Sequence, residues 1–146
     1  MKLSRPLITA LLSVAGIAIS IYLLTVHWGW WSAVCLGVGD CELVNTSRFS
    51  EFLGLPVALW GIGAYVALLA LSVAVMRQMV VPWAQRGLFG VAAIGVAFSL
   101  YLSYIEVFVL REICPWCVLS AIIVTVIAIL SALELRNAEL FEPETV

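Results

Sequence analysis

The chain has 146 residues, 64% of them hydrophobic and 11% charged, with a mean hydropathy of +1.16 and a formal net charge of −2. A soluble domain of this length cannot hide so much apolar surface, so the composition points to one compact helical domain in a membrane. The small net charge shows no basic block, which argues against nucleic acid as a partner.

Lys2 and Arg5 precede an apolar run from Pro6 to Val26. At about 1.5 Å per residue, such a run crosses a hydrocarbon core of roughly 30 Å. It exceeds the roughly 7–15 residues of a signal-peptide core and lacks a clear small-residue exit, so a retained first span is expected. His27, Trp28, Trp30 and Trp31 follow. The tryptophans read as an interfacial belt, and His27 as an interface residue beside them rather than a metal ligand, since the chain has one histidine.

Residues 32–55 form the longest polar stretch and carry Cys35, Asp40, Cys41, Glu42, Ser47 and Arg48. Gly37 and Gly39 keep the interval between Cys35 and Cys41 flexible, so the two sulfurs can meet. Asp40 and Glu42 flank Cys41 and are expected to raise its thiol by like charge, with Arg48 as an offset. From Ser47 to Leu55 polar residues alternate with Phe49, Phe52, Leu53 and Leu55, which suits a short amphipathic helix on the membrane surface.

Pro56 opens a second span, to Met76, with Gly61 and Gly63 placed for close helix packing. Arg77–Arg86 reads as a loop containing Pro82. A third span covers Gly87–Val109, with Tyr101 and Tyr104 on one face and Glu106 near its end. The fourth runs from Pro115 to Leu133, and the tail from Glu134 to Val146 is expected to fray into solvent. The fold class is therefore all-α, a four-helix membrane bundle whose outer loop carries a short amphipathic helix.

Lys2, Arg5, Arg77, Arg86 and Arg136 fall on one side of these spans, and Arg48 and Arg111 on the other. That asymmetry places both termini in the cytoplasm and all four cysteines outside, where thiols can be held as disulfides.

Cys114-Pro115-Trp116-Cys117 sits where the connection at Arg111 and Glu112 gives way to the last apolar run. Proline is favoured at the first helical position, which makes Cys114 the N-cap and puts Cys117 one turn in. Unpaired N–H groups at a helix start favour thiolate over thiol. The deeper Cys117 is expected to face the apolar interior, and Cys114 to be the more exposed of the two. Two pairs on one membrane face make a thiol–disulfide relay, with an apolar electron acceptor such as a lipid quinone beside the helix pair. Two plainer readings are a pair of structural staples and a four-cysteine zinc site; the five residues between Cys35 and Cys41 exceed the usual gap of about two to four.

The order Cys35-x5-Cys41, then Val44 and Ser47, then Gly54-Leu55-Pro56 entering a span, then C-x-x-C at the last span, resembles the vitamin K epoxide reductase family. The likeness covers the chain from the first span to about Leu133. It implies a four-helix bundle around a quinone such as ubiquinone or menaquinone. It implies that Cys117 faces the quinone, that Cys114 exchanges with Cys41, and that Cys35 meets a reduced thioredoxin-like (DsbA-like) partner. Ser47 matches the family's loop serine, which supports the active site. The expected catalytic set is Cys35, Cys41, Cys114, Cys117 and Ser47. The expected quinone contacts are Cys117, Trp60, Pro56, Tyr104 and Ala121. No metal is expected.

The sequence also departs from the family's pattern. Ala121 stands where animal members have a tyrosine, and Val57 lies near the place of their asparagine. Ordinary quinone reduction is therefore expected rather than epoxide reduction. No thioredoxin-like domain follows residue 146, so the partner is expected to be a separate chain, and the location a bacterial-type inner membrane. The alternatives are the DsbB family, in which the order of the two cysteine pairs is reversed, and a non-enzymatic scaffold with structural disulfides.

Overall fold

The computed structural model describes residues 4–35, 37, 39–79 and 81–141. Its long helices are α1 (Arg5–His27), α3 (Val57–Met76), α4 (Val81–Tyr104) and α5 (Pro115–Phe141), with a short α2 (Cys41–Thr46) between the first two. Past Tyr104 the fourth helix widens into a π-helical turn, Ile105–Leu110. Among the described residues, four segments are long and apolar enough to cross a membrane. The fold is the expected all-α four-helix bundle.

The main helix contacts run α1 to α3, α3 to α4, α4 to α5 and α5 to α1, closing a ring. Leu23, Leu68, Leu88, Ile123 and Ile127 fill its buried core. Small residues set the closest approach. A side chain at Gly16 would run into the Tyr65 ring, and a Cβ on Gly61 would sit 2.9 Å from the Ser20 hydroxyl. Gly61 therefore packs as expected, whereas Gly63 meets nothing within 4 Å.

Three boundaries differ from expectation. The Arg77–Arg86 loop is shorter, because α4 already begins at Val81. Pro82 lies in its first turn, where a missing N–H removes no intrahelical bond. The tail does not fray at Glu134: α5 continues to Phe141, through Glu134, Leu135, Arg136, Ala138 and Glu139, all good helix formers. The rest of the expected fray, residues 142–146, lies outside the described residues.

The third difference concerns the loop. No amphipathic helix spans Ser47–Leu55. The loop's helix is α2, earlier in the chain, and Asp40 caps it by accepting the Leu43 N–H at 2.9 Å. A 3-10 turn (Arg48–Ser50) then leads into a small hairpin, β1 (Glu51–Phe52) antiparallel to β2 (Leu55–Pro56). The polar–apolar mix of this stretch belongs to a 3-10 turn and two short strands rather than to a helix. Leu53 and Gly54 form its two-residue turn with φ of 55° and 78°, both positive, as a type I′ hairpin requires.

Candidate active site

Cys114 and Cys117 occupy the first turn of α5. The Cys114 carbonyl accepts the Val118 N–H at 3.1 Å, and its Sγ accepts the Cys117 N–H at 3.4 Å. Cys114 thus has N-cap geometry. A hydrogen bond from the Cys117 side chain holds the Cys114 thiol below its usual value, against the opposing pull of burial; the Cys117 and Trp116 backbone N–H groups add to the lowering.

The exposure of the pair is the reverse of expectation. Cys114 is fully buried at 0%, while Cys117 is half-buried and lines a cavity. The cause is the polar loop, which lies over the helix start. Val34 donates its N–H to the Tyr22 hydroxyl at 2.8 Å, and its carbonyl accepts the Trp116 indole N–H at 2.7 Å. The rings of Tyr22 and Trp116 pack 5.2 Å apart. Gly39, at φ +70°, rests on the Ile113 carbonyl so closely that no side chain fits. These contacts bring the Cys35–Cys41 disulfide to the C-x-x-C. Cys41 is buried in the same apolar cluster as Cys114, with Cys35 and Cys117 packed against it. Cys114 and Cys117 are free thiols.

On the other side of Cys117 lies a cavity of about 390 Å³. Helical periodicity selects its walls: Gly61, Ala64, Tyr65 and Leu68 from α3, Gly95, Phe98, Ser99 and Leu102 from α4, and Cys117, Ser120 and Val124 from α5. Val44, Asn45, Ser47, Ser50 and Phe52 of the loop close one end. Phe52 packs edge-on against Trp60 and Phe98, and the Trp60 indole donates to the Phe52 carbonyl at 3.1 Å. The hairpin is thereby fastened to α3 and α4 at the cavity wall. Tyr65 donates its hydroxyl to the Ser120 carbonyl at 2.8 Å. The lining is chiefly apolar and aromatic with a few hydroxyls, as a small-molecule site requires.

The sequence profile described as Vitamin K epoxide reductase family matches residues 7–132. The chain belongs to this family. Membership carries oxidoreductase chemistry in general and, with the cysteine pairs and four membrane-length helices, makes the chain a membrane thiol–disulfide oxidoreductase. Proteins of the vitamin K epoxide reductase family are generally quinone-linked.

Against that family reading, the expected residues divide. Cys117 and Trp60 line the cavity; Pro56, Tyr104 and Ala121 do not. Pro56 is buried at the head of α3. Tyr104 is 59% exposed and packs on Phe108, because the inward face of α4 runs through Ser99, Leu102, Ser103 and Glu106. Ala121 is one position round α5 from Ser120. Ser47 ends α2; its hydroxyl donates to the Val44 carbonyl at 2.9 Å and its carbonyl receives the Ser50 hydroxyl. Asp40 serves as a cap, and the Arg48 guanidinium lies over the Phe49 ring, 5.1 Å from its centre.

Three residues of the site carried no such expectation. Asn45 is buried and donates to the Leu23 carbonyl at 2.5 Å. His27 is a tether, not a bystander among tryptophans: its Nδ1 meets the Asn45 carbonyl at 2.7 Å and its Nε2 lies 3.6 Å from Glu51. Glu106 is buried at the cavity wall, and its Oε2 accepts the Cys114 N–H at 3.4 Å. Its signal in the sequence was a lone acid inside an apolar span.

Proposed function

We propose that this chain is a dithiol:quinone oxidoreductase that supports disulfide formation outside the cytosol. One observation carries this reading. The C-x-x-C lies between a disulfide-bearing loop on the Cys114 side and an apolar cavity on the Cys117 side.

A reduced thioredoxin-like protein attacks the Cys35–Cys41 disulfide at Cys35 and forms a mixed disulfide. Cys41 leaves as a thiolate and attacks Cys114 of an oxidised Cys114–Cys117 pair. Cys117 leaves on the cavity side as a thiolate and takes up a proton; the partner closes its own disulfide and frees Cys35, which attacks Cys41 and leaves Cys114 and Cys117 as the reduced pair. The lowered thiol of Cys114 makes it a good member of such a pair, since exchange depends on thiolate character at both attack and departure.

A quinone fits the cavity by its volume and by its flat aromatic walls at Phe52, Trp60 and Phe98. Those residues, with Cys117 and Ser120, would hold it, and it would supply the two-electron acceptor. The other residues orient the thiols: Trp116 and Tyr22 hold the loop, Gly39 seats it, and Ser47 and Asn45 close the cavity. The reading sets the bundle in an inner membrane, and the distribution of Lys and Arg supports cytoplasmic termini and outer cysteines.

The test uses Cys41→Ser in the membrane-embedded protein with a reduced DsbA-like partner. A mixed disulfide through Cys35 should accumulate, and wild-type protein should convert added ubiquinone or menaquinone to quinol with that partner as donor. A covalent complex through Cys114 would reverse the order of transfer. Failure of the wild type to reduce either quinone would overturn the acceptor assignment.

A further inference from the structure

Among the residues lining the cavity, Glu106 is the one carboxylate, and its only titratable companions there are Cys117 and Tyr65. Tyr65 is committed to Ser120 through its hydroxyl. Glu106 is 6% exposed, in a segment long and apolar enough to span a membrane. A buried acid in such a segment is costly and is retained for ion or proton handling far more often than for packing.

The local backbone is built around this side chain. Glu106 sits in the π-helical turn, a distortion that recurs at functional sites. Arg111, at φ 55°, ends that turn and lets the Glu112 N–H close on the Glu106 carbonyl at 3.1 Å. The carboxylate then points at the start of α5. Its Oε2 receives the Cys114 N–H at 3.4 Å. The same carboxylate fronts the cavity that Cys117 lines.

We propose that Glu106 is a catalytic residue, the proton carrier between the Cys117 thiol and the electron acceptor in the cavity. The inference rests on the quinone reading above. Oxidation of the Cys114–Cys117 dithiol forms one S–S bond and releases two electrons and two protons. Both electrons go to the quinone-class acceptor, which takes up two protons and ends as the quinol. Glu106 removes the proton of Cys117 as the S–S bond forms and delivers it to an acceptor oxygen in the cavity. The proton of Cys114 is lost to solvent when that thiol ionises, and an equal one from solvent completes the quinol. Glu106 ends each cycle ionised, as it began. Without it, the thiol proton would have to leave through apolar lining.

The test compares Glu106→Gln with the wild type. Glutamine keeps an oxygen for the Cys114 N–H but carries no proton. Quinol formation should fall about 100-fold, in the range of lost general acid–base catalysis. The variant should keep the wild-type helical circular dichroism and unfolding midpoint. Glu106→Asp should recover part of the activity with a displaced pH profile. A second readout needs no quinone. In the infrared difference spectrum between oxidised and reduced wild-type protein, a carboxylate band should shift with the thiols, because the Cys117 S–H that faces the same cavity is present only in the reduced state, and the shift should vanish in Glu106→Gln.

Wild-type quinol formation by Glu106→Gln, with an unchanged pH profile, would overturn the proposal. So would an equal loss in Glu106→Gln and Glu106→Asp with the same pH profile, which marks a structural role. If Glu106→Gln does not fold, a wild-type spectrum with no thiol-linked carboxyl change overturns it alone. A thiol-linked carboxylate shift in a wild type that reduces no quinone would sink the acceptor reading and, with it, delivery of the proton by Glu106.

Discussion

The indole N–H of Trp116, between the two cysteines of the helix, donates to the carbonyl of Val34, the residue before the first loop cysteine, at 2.7 Å. A residue of the C-x-x-C thus holds the segment that carries the loop disulfide. Trp116→Phe keeps an aromatic ring against Tyr22 and removes the donor. A net hydrogen bond contributes about 0.5–1.5 kcal/mol, so electron transfer from the loop pair to the helix pair should slow about two- to tenfold. Stopped-flow transfer from reduced partner measures it. An unchanged rate would mean that the loop is held by the remaining contacts alone.

Gly39 and Gly37 offer an internal comparison. Both have positive φ, at +70° and +77°, but a Cβ on Gly39 would collide with the Ile113 carbonyl while one on Gly37 meets nothing within 4 Å. Gly37→Ala should cost only the left-handed backbone, about 1–2 kcal/mol. Gly39→Ala adds a clash with backbone and should lift the loop off the helix. Proteolysis within residues 35–41 should be much faster in Gly39→Ala. Equal sensitivity of the two variants would contradict the seating of the loop on Ile113.

How far the sequence reached can be seen residue by residue. The spans were legible because a membrane demands long apolar runs, and the N-cap role of Cys114 because Pro115 fixes the first helical position. The hairpin was misread because the alternation of Ser47–Leu55 is short, and Leu53 gives no sign that it will accept a positive φ. The burial of Cys114 was invisible for another reason. It depends on where Val34 and Gly39 come to rest, and no local rule encodes those contacts. Glu106 showed its oddity in the sequence, yet its contact with the Cys114 N–H follows only from the π-helical turn that aims it.

Orientation is predicted from Lys2, Arg5, Arg77, Arg86 and Arg136 against Arg48 and Arg111. A reporter that works only outside the cytosol should be active when fused after Trp31 and silent when fused after Arg77. The opposite pattern would put every cysteine in a reducing compartment and end the relay.

The two helix cysteines set accessibility against ionisation. Cys114 has the lowered thiol, so its thiolate forms at lower pH and its intrinsic reactivity at neutral pH is the greater. Cys114 is also fully buried, whereas Cys117 opens onto the cavity. Burial wins if lifting the loop costs more than the reactivity gained; a cost of only about 1.4 kcal/mol already gives about tenfold protection. A small apolar maleimide added to the reduced protein should therefore modify Cys117 first, as read by peptide mass spectrometry at short times. In Gly39→Ala the order should shift toward Cys114. The sign of its pH dependence is then fixed: with the cover loosened, Cys114 labelling should persist to lower pH than that of an ordinary thiol, because its thiolate survives there. If Cys114 is labelled first in the wild type, the loop does not cover it in solution, and direct attack on Cys114 by a soluble donor would have to replace the relay through Cys41.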